Sequence, residues 1–158
     1  MIQRIQTLYL LLASVFFFCY WFFGLKWYQI GFSILQDNFN YDFFNNSPIS
    51  DLILNITSLV PLIIAIICVC SIFIYKSRNK QILICKISLC LSMLMSLYTL
   101  FYFYFALEGL VSIMPSKVLR VLMYLAIVNP FVCSYLIYLA VKSIRNDSEL
   151  VESLDRIR

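Results

Sequence analysis

Histidine is absent from the 158 residues, glycine occurs three times, and only 13% of positions carry a charge. The missing imidazole excludes bis-His haem ligation, His-based zinc or copper sites, and every triad that uses imidazole as its base. The three glycines, Gly24, Gly31 and Gly109, form no GxGxxG or Walker-type loop, and HExxH cannot occur. Soluble domains carry roughly 25% charged residues. About half that share, beside 63% hydrophobic residues, leaves too little polar surface to cover a water-facing globule.

The few charges avoid four apolar stretches: Ile5 to Leu25, Leu52 to Tyr75, Ile87 to Leu107 and Val121 to Val141. Each reaches the roughly 20 residues an α-helix needs to cross a bilayer core. The expected fold is therefore all-α, an integral membrane bundle of four transmembrane helices in up-down order. One membrane domain would fill residues 1–141, with spans at about 5–25, 52–75, 83–107 and 120–141 and an outer loop at 26–51; residues 142–158 would form a short cytoplasmic amphipathic tail. No Asp or Glu lies inside the four stretches, so the ionisable relay that pumps and secondary transporters hold near the midplane is missing.

Basic residues set the orientation. Arg4, Lys76, Arg78, Lys80, Lys86, Lys142, Arg145, Arg156 and Arg158 fall on one side, and Lys26, Lys117 and Arg120 on the other. The positive-inside rule assigns the richer side, with both termini, to the cytoplasm. The net charge of +4 thus reports topology and not nucleic-acid binding. Lys76-Ser77-Arg78-Asn79-Lys80 reads as a tight basic turn on anionic lipid, and Lys86 can snorkel to the headgroups. The first stretch exceeds a signal-peptide core and lacks a small-x-small cleavage site, so a retained helix is expected.

All six cysteines lie in or at the ends of apolar stretches, where a thiol acts as a small hydrophobe. Cys68 and Cys70 project about 200° apart on a helix and cannot share a metal. Neither a disulfide framework nor a cofactor is implied. Of the carboxylates outside the tail, Asp37, Asp42, Asp51 and Glu108 all fall at the outer edge, which argues against an enzyme.

Small and weakly polar residues recur at helical spacing. Ser88, Ser92 and Ser96, followed by Thr99, form one narrow stripe in span three; Ala126, Asn129, Cys133 and Ala140 follow a similar register in span four; and Asn55, Ser58, Ala65 and Cys68 do so in span two. Such stripes let helix backbones approach closely, within one bundle, in a homo-oligomer, or against another membrane protein. The competing reading is a polar groove for a lipid or quinone headgroup. Pro61 and Pro130 each remove a backbone donor and free a carbonyl, which Asn129 or a nearby Ser or Thr is expected to re-satisfy.

Aromatics cluster where spans one and three end on the outer side: Tyr20, Trp21, Phe22, Phe23, Trp27 and Tyr28, then Tyr98 and Phe101 to Phe105. This reads as an aromatic belt. Phe39, Tyr41 and Phe43 alternate in the outer loop, where a short hairpin is expected. Ser47-Pro48 has the form of an N-cap followed by proline at the first helical position. In the tail, Asn146 and Glu149 are spaced as a capping box, and Leu150, Leu154 and Ile157 would line one face of a short helix. Acids lead and arginines follow, the order the helix dipole favours. The balanced charge suits a protein groove better than a membrane surface, which wants an excess of Lys and Arg; a simple solvated continuation of span four is the other reading of the tail.

Three segments, MIQRIQTLYLLLA (Met1 to Ala13), YKSRNKQILIC (Tyr75 to Cys85) and SLDRIR (Ser153 to Arg158), resemble an uncharacterised four-span inner-membrane family of Bacteroidota, a domain of unknown function. The resemblance implies a multi-pass protein of the bacterial inner membrane with both termini inside. It supplies no catalytic residues. Gln3 and Arg4 match the family's opening, and Asp155, Arg156 and Arg158 its close; with Leu150 and Leu154 they are the expected partner contacts. Asn55, Pro61, Ser88, Ser92, Ser96, Asn129 and Pro130 are the expected packing or groove residues. The expected role is a non-enzymatic accessory or scaffold protein, bound to the bilayer and to another membrane or cytoplasmic protein. The alternative is a small transporter or lipid- or quinone-binding carrier acting as an oligomer.

Overall fold

The computed structural model describes residues 5–22, 48–75, 77–113 and 117–157, with side chains described at 5–22, 58–75, 77–101, 103–104, 117–118 and 120–151. Four helices account for this part, and no strand occurs among the described residues: α1 Ile5–Phe22, α2 Pro48–Phe73, α3 Arg78–Ile113 and α4 Lys117–Ile157. The expected hairpin in the outer loop, together with Gln3, Arg4 and Arg158, lies outside the described residues. The same holds for the side chains of Asn55, Leu154, Asp155 and Arg156.

Three stretches, Ile5–Phe22, Arg78–Phe101 and Arg120–Val151, are long and apolar enough to cross a membrane, while the Ser58–Phe73 stretch of α2 is a shorter apolar helix. Their burial is the reverse of a soluble bundle's. Leu8, Leu11, Val15, Phe18, Ile63, Ile66, Leu94, Leu97, Leu125 and Val128 face outward, whereas Ser14, Ser58, Ser71, Ser88, Ser92, Ser96, Thr99 and Ser134 are buried. In water that pattern exposes the apolar side chains and buries the hydroxyls. In hydrocarbon the outer face needs no polar cover, and small side chains inside let the helices close up.

The core runs along one stripe per helix. On α1, Gln6, Leu10, Ala13, Phe17 and Tyr20 are buried, at three- and four-residue steps. Cys68 of α2 sits against Ser88 of α3, and Cys85 of α3 against Ser71 of α2. α2 packs on α3, and α3 on α4. Cys68 is buried and Cys70 exposed, so the two thiols take opposite faces.

The first turn of α1, the end of α2, the start of α3 and residues Ile144 and Asp147 of α4 surround one cavity, which requires the helices to alternate in direction. Pro48 is the first residue of α2, where its missing N–H leaves no helical bond unmade. Both α2 and α4 continue through their internal prolines, and Pro61 and Pro130 are buried.

Three local expectations are corrected. Tyr20 and Phe103, assigned to the aromatic belt, are buried in the bundle, while Phe22, Phe101 and Tyr104 are exposed. Arg78, Asn79 and Lys80, assigned to a turn, already form the first turn of α3. Asn146 starts no separate helix: α4 runs unbroken for 41 residues, the continuation of span four and not the capped tail helix. At 1.5 Å per residue it spans about 60 Å, roughly twice the hydrocarbon thickness. Leu and Val at positions 139–141 and 150–151 keep the helical pattern going, and no Gly or Pro separates span from tail.

Candidate functional site

The expected groove residues come first. Ser88 and Ser92 are fully buried and Ser96 nearly so, each with its hydroxyl turned back on its own helix. Ser88 donates to the Cys85 carbonyl (2.9 Å), Ser92 to Leu89 (2.9 Å), Ser96 to Met93 (2.7 Å) and Thr99 to Ser96 (2.8 Å). Ser14 and Ser71 do the same on α1 and α2. A hydroxyl satisfied in this way presents mainly size to the neighbouring helix, although Ser88 and Ser71 also meet the Cys68 and Cys85 thiols, and Ser92 meets Ser134.

Asn129 behaves otherwise than expected. Its Nδ2 donates across the bundle to the Phe16 carbonyl of α1 (3.0 Å) instead of returning to the carbonyl freed by Pro130. Its Oδ1 accepts from the Cys133 thiol (3.2 Å), whose Sγ also lies 3.9 Å from the Ala13 carbonyl. The Ser134 hydroxyl is placed to donate to the Pro130 carbonyl (2.8 Å) or to Ser92 Oγ on α3 (3.0 Å). Asn129, Cys133 and Ser134 therefore clasp α4 to α1 and α3, and their polar atoms are used in doing so.

The basic end of the bundle is different. There a cavity of about 300 Å³ is lined by Gln6 and Thr7 of α1, Ile72 and Phe73 of α2, Tyr75 after it, Arg78 and Gln81 of α3, and Ile144 and Asp147 of α4. Gln6 donates through Nε2 to the Asp147 carboxylate, 141 residues away in sequence. Arg78 donates through Nη1 to the main-chain carbonyl of Asp147 (2.8 Å). The guanidinium and the carboxylate form no ion pair with each other: among the described residues the salt bridge is Arg145 to Glu149, on the exposed face of α4 (3.1 Å).

Gln81 is 4% exposed, and its side-chain amide makes no hydrogen bond. The buried side-chain atom without a partner among the described residues is Trp21 Nε1, so the Gln81 amide keeps contact with the cavity's solvent. Ser77 precedes α3, its carbonyl accepting from the Gln81 backbone N–H (3.0 Å), so the positive end of the α3 dipole lies beside Arg78. A shallower groove on the far side of Arg78 carries Asn79, Lys80, Ser148 and Val151.

Sequence reasoning did not single out Gln6, Gln81 or Asp147. The signal was there: Gln6 stands four residues before Leu10 and seven before Ala13, and Gln81 four before Cys85 and seven before Ser88, each in register with a buried stripe. Among the expected partner contacts, Leu150 is exposed on α4. No group of three or more His, Cys, Asp or Glu that could hold a metal occurs among the described residues.

With this arrangement in view, the class is a helical protein with membrane-crossing capacity and a cavity at its basic end lined by a few polar side chains. The chain belongs to the family described as Domain of unknown function (DUF4293), whose model matches residues 2–157. No curated protein and no solved structure matches it.

Proposed function

We propose that this chain is a non-enzymatic accessory or scaffold protein of the bacterial inner membrane, of the Bacteroidota type its sequence resembles. It crosses the bilayer four times with both termini in the cytoplasm. Its seams hold its own bundle together, and the cytoplasmic half of α4 docks a second protein.

The observation that carries this reading is the continuity of α4. A helix of 41 residues, anchored by Asn129 and Ser134 inside the bundle, projects its last turns beyond the bilayer as a rigid arm. Leu150 and Val151 are exposed on that arm, next to charges of both signs. An apolar pair framed by Arg145 and Glu149 suits a groove on a protein, because a lipid surface favours an uninterrupted basic rim. The carrier reading has less support, since the polar atoms of Asn129, Ser88, Ser92 and Ser96 are occupied within the bundle.

Photo-crosslinking in intact cells tests it. A photoreactive side chain at Leu150 should give one discrete adduct, lost on Val151→Asp while the protein stays in the membrane fraction. A reporter fused after Arg158 should be inaccessible from outside. An accessible reporter, or no adduct at Leu150 and none at neighbouring positions, overturns the proposal.

A further inference from the structure

We infer that the cavity at the basic end binds a zwitterionic phospholipid headgroup, the phosphodiester at Arg78 and the ammonium at Asp147. This rests on the basic end lying at headgroup level, as in the proposed topology, and is independent of any docking by α4.

Three observations lead to it. The cavity receives one cation, Arg78, and one anion, Asp147, which are held together through the Asp147 main-chain carbonyl and yet make no ion pair with each other. Both are half-buried, so each keeps charged atoms facing a space of low polarity. A ligand with both signs and no net charge satisfies the two at once; a purely anionic ligand would leave Asp147 opposing it.

Gln81 as a residue is 4% exposed and lines the cavity, and its amide makes no hydrogen bond while keeping contact with the cavity's solvent, so a donor–acceptor group waits beside the guanidinium. A phosphodiester oxygen accepts from Arg78 and from the Gln81 amide, in the manner of charge-assisted phosphate recognition. The start of α3 at Arg78 adds the positive end of a helix dipole on the same side. Gln6 holds one oxygen of the Asp147 carboxylate and leaves the other to accept from an ammonium.

The cavity is also open to the bilayer. Phe73 is 76% exposed and Tyr75 is exposed at its rim, and the outward face of α2 continues from Phe73 through Val69 and Ile66. Acyl chains leaving the headgroup can lie along that face. A volume of about 300 Å³ falls at the small end of ligand pockets, which suits a headgroup and not a whole lipid. Lys80 lines the neighbouring groove and not this cavity, so no second cation tips the balance toward an anionic lipid.

Native mass spectrometry of the delipidated full-length protein tests the inference. Dioleoyl phosphatidylethanolamine and dioleoyl phosphatidylglycerol are added singly, and the wild-type protein should retain the former in preference. Asp147→Asn keeps an oxygen for Gln6 but loses the charge; it should lower phosphatidylethanolamine retention about tenfold and leave phosphatidylglycerol unchanged. Arg78→Gln should lower both about tenfold. Helix content and elution volume are read for each variant, and if Arg78→Gln does not fold, Arg78→Lys, which keeps the charge without the fork, should show a smaller loss of both lipids.

Free O-phosphoethanolamine distinguishes a membrane source from a soluble one. Binding much weaker than that of the lipid supports the assignment, and binding as tight as the lipid overturns the lipid source. Preference of the wild type for phosphatidylglycerol, or an equal loss of both lipids in Asp147→Asn, overturns the zwitterionic assignment itself.

Discussion

The middle of the bundle and its basic end contain similar polar side chains put to opposite use. In the middle, Ser88, Ser92, Ser96 and Thr99 each donate to a carbonyl three residues back, while Asn129, Cys133 and Ser134 reach another helix and Cys68 and Cys85 meet Ser88 and Ser71 across α2 and α3. At the basic end, Gln6 reaches Asp147 from 141 residues away and Arg78 from 69, and the Gln81 side chain makes no hydrogen bond. Polarity in the middle is consumed locally, so what remains there is shape. At the end it is pooled from three helices around a space, and part of it is left over. A polar residue in a membrane bundle therefore indicates a site only where its hydrogen-bonding capacity outruns what its own helix can absorb.

The largest expected effect tests shape in the middle. Ser88→Leu forces a longer side chain into a fully buried position between α2 and α3 and should cost about 1–3 kcal/mol. Unfolding in mixed micelles reads this as a lower denaturant midpoint. Loss of less than a few tenths would mean that α2 and α3 are not in close contact there. At the other end, Gln81→Leu should move stability the opposite way. In lipid-free detergent it places an apolar side chain in a largely apolar space and should stabilise by about 1 kcal/mol, a gain that shrinks once phosphatidylethanolamine is supplied. Destabilisation in both conditions would show that Gln81 serves packing alone.

Asn129→Leu comes next. It breaks the bonds to Phe16 and Cys133 that join α4 to α1. Interhelical hydrogen bonds in membranes average about 0.6 kcal/mol and reach about 1.7, so a loss in that range is expected, read in the same micelle assay. The unfolded chain in a micelle also finds partners for an asparagine, which is why the cost stays small.

The same contrast explains what was legible in the sequence. Four charge-free stretches of span length could be read directly, and the structure has four helices there, because the cost of charge in hydrocarbon depends on composition and not on tertiary detail. The Ser88–Ser92–Ser96 stripe was legible for a similar reason: a four-residue step falls on one helix face whatever packs against it. The end of α4 left two readings open, a continuation of span four and a separate capped helix, and the first is the one observed. Asn146 and Glu149 have capping-box spacing, but a capping box requires the preceding backbone to leave the helix, and Ala140, Val141 and Lys142 continue it without a breaker. Asp147 consequently sits on the inward face of a continuous helix, within reach of Gln6, and not at the first turn of a separate one. The cavity depends on three helix ends meeting the side of α4, and no local pattern encodes such a meeting.

The smallest expected effect separates the two explanations of the stripe. Ser96→Ala removes a hydroxyl that donates to the Met93 carbonyl (2.7 Å), yet that carbonyl stays in the helical ladder, and the cavity left is about one oxygen atom. Back-bonded serines bend and slightly destabilise their helices. The change should therefore be neutral within about 0.5 kcal/mol, the range of substitutions that touch no special feature, and could raise the micelle midpoint slightly through the helix propensity of alanine. Ser88→Ala also loses the contact with the Cys68 thiol and should cost slightly more, still within about 1 kcal/mol. Alanine tolerated and leucine refused at the same position means that the stripe selects for smallness. A loss above 1 kcal/mol for the alanine variants would instead mean that the hydroxyls meet something other than their own backbone, and the stripe would become a polar groove after all.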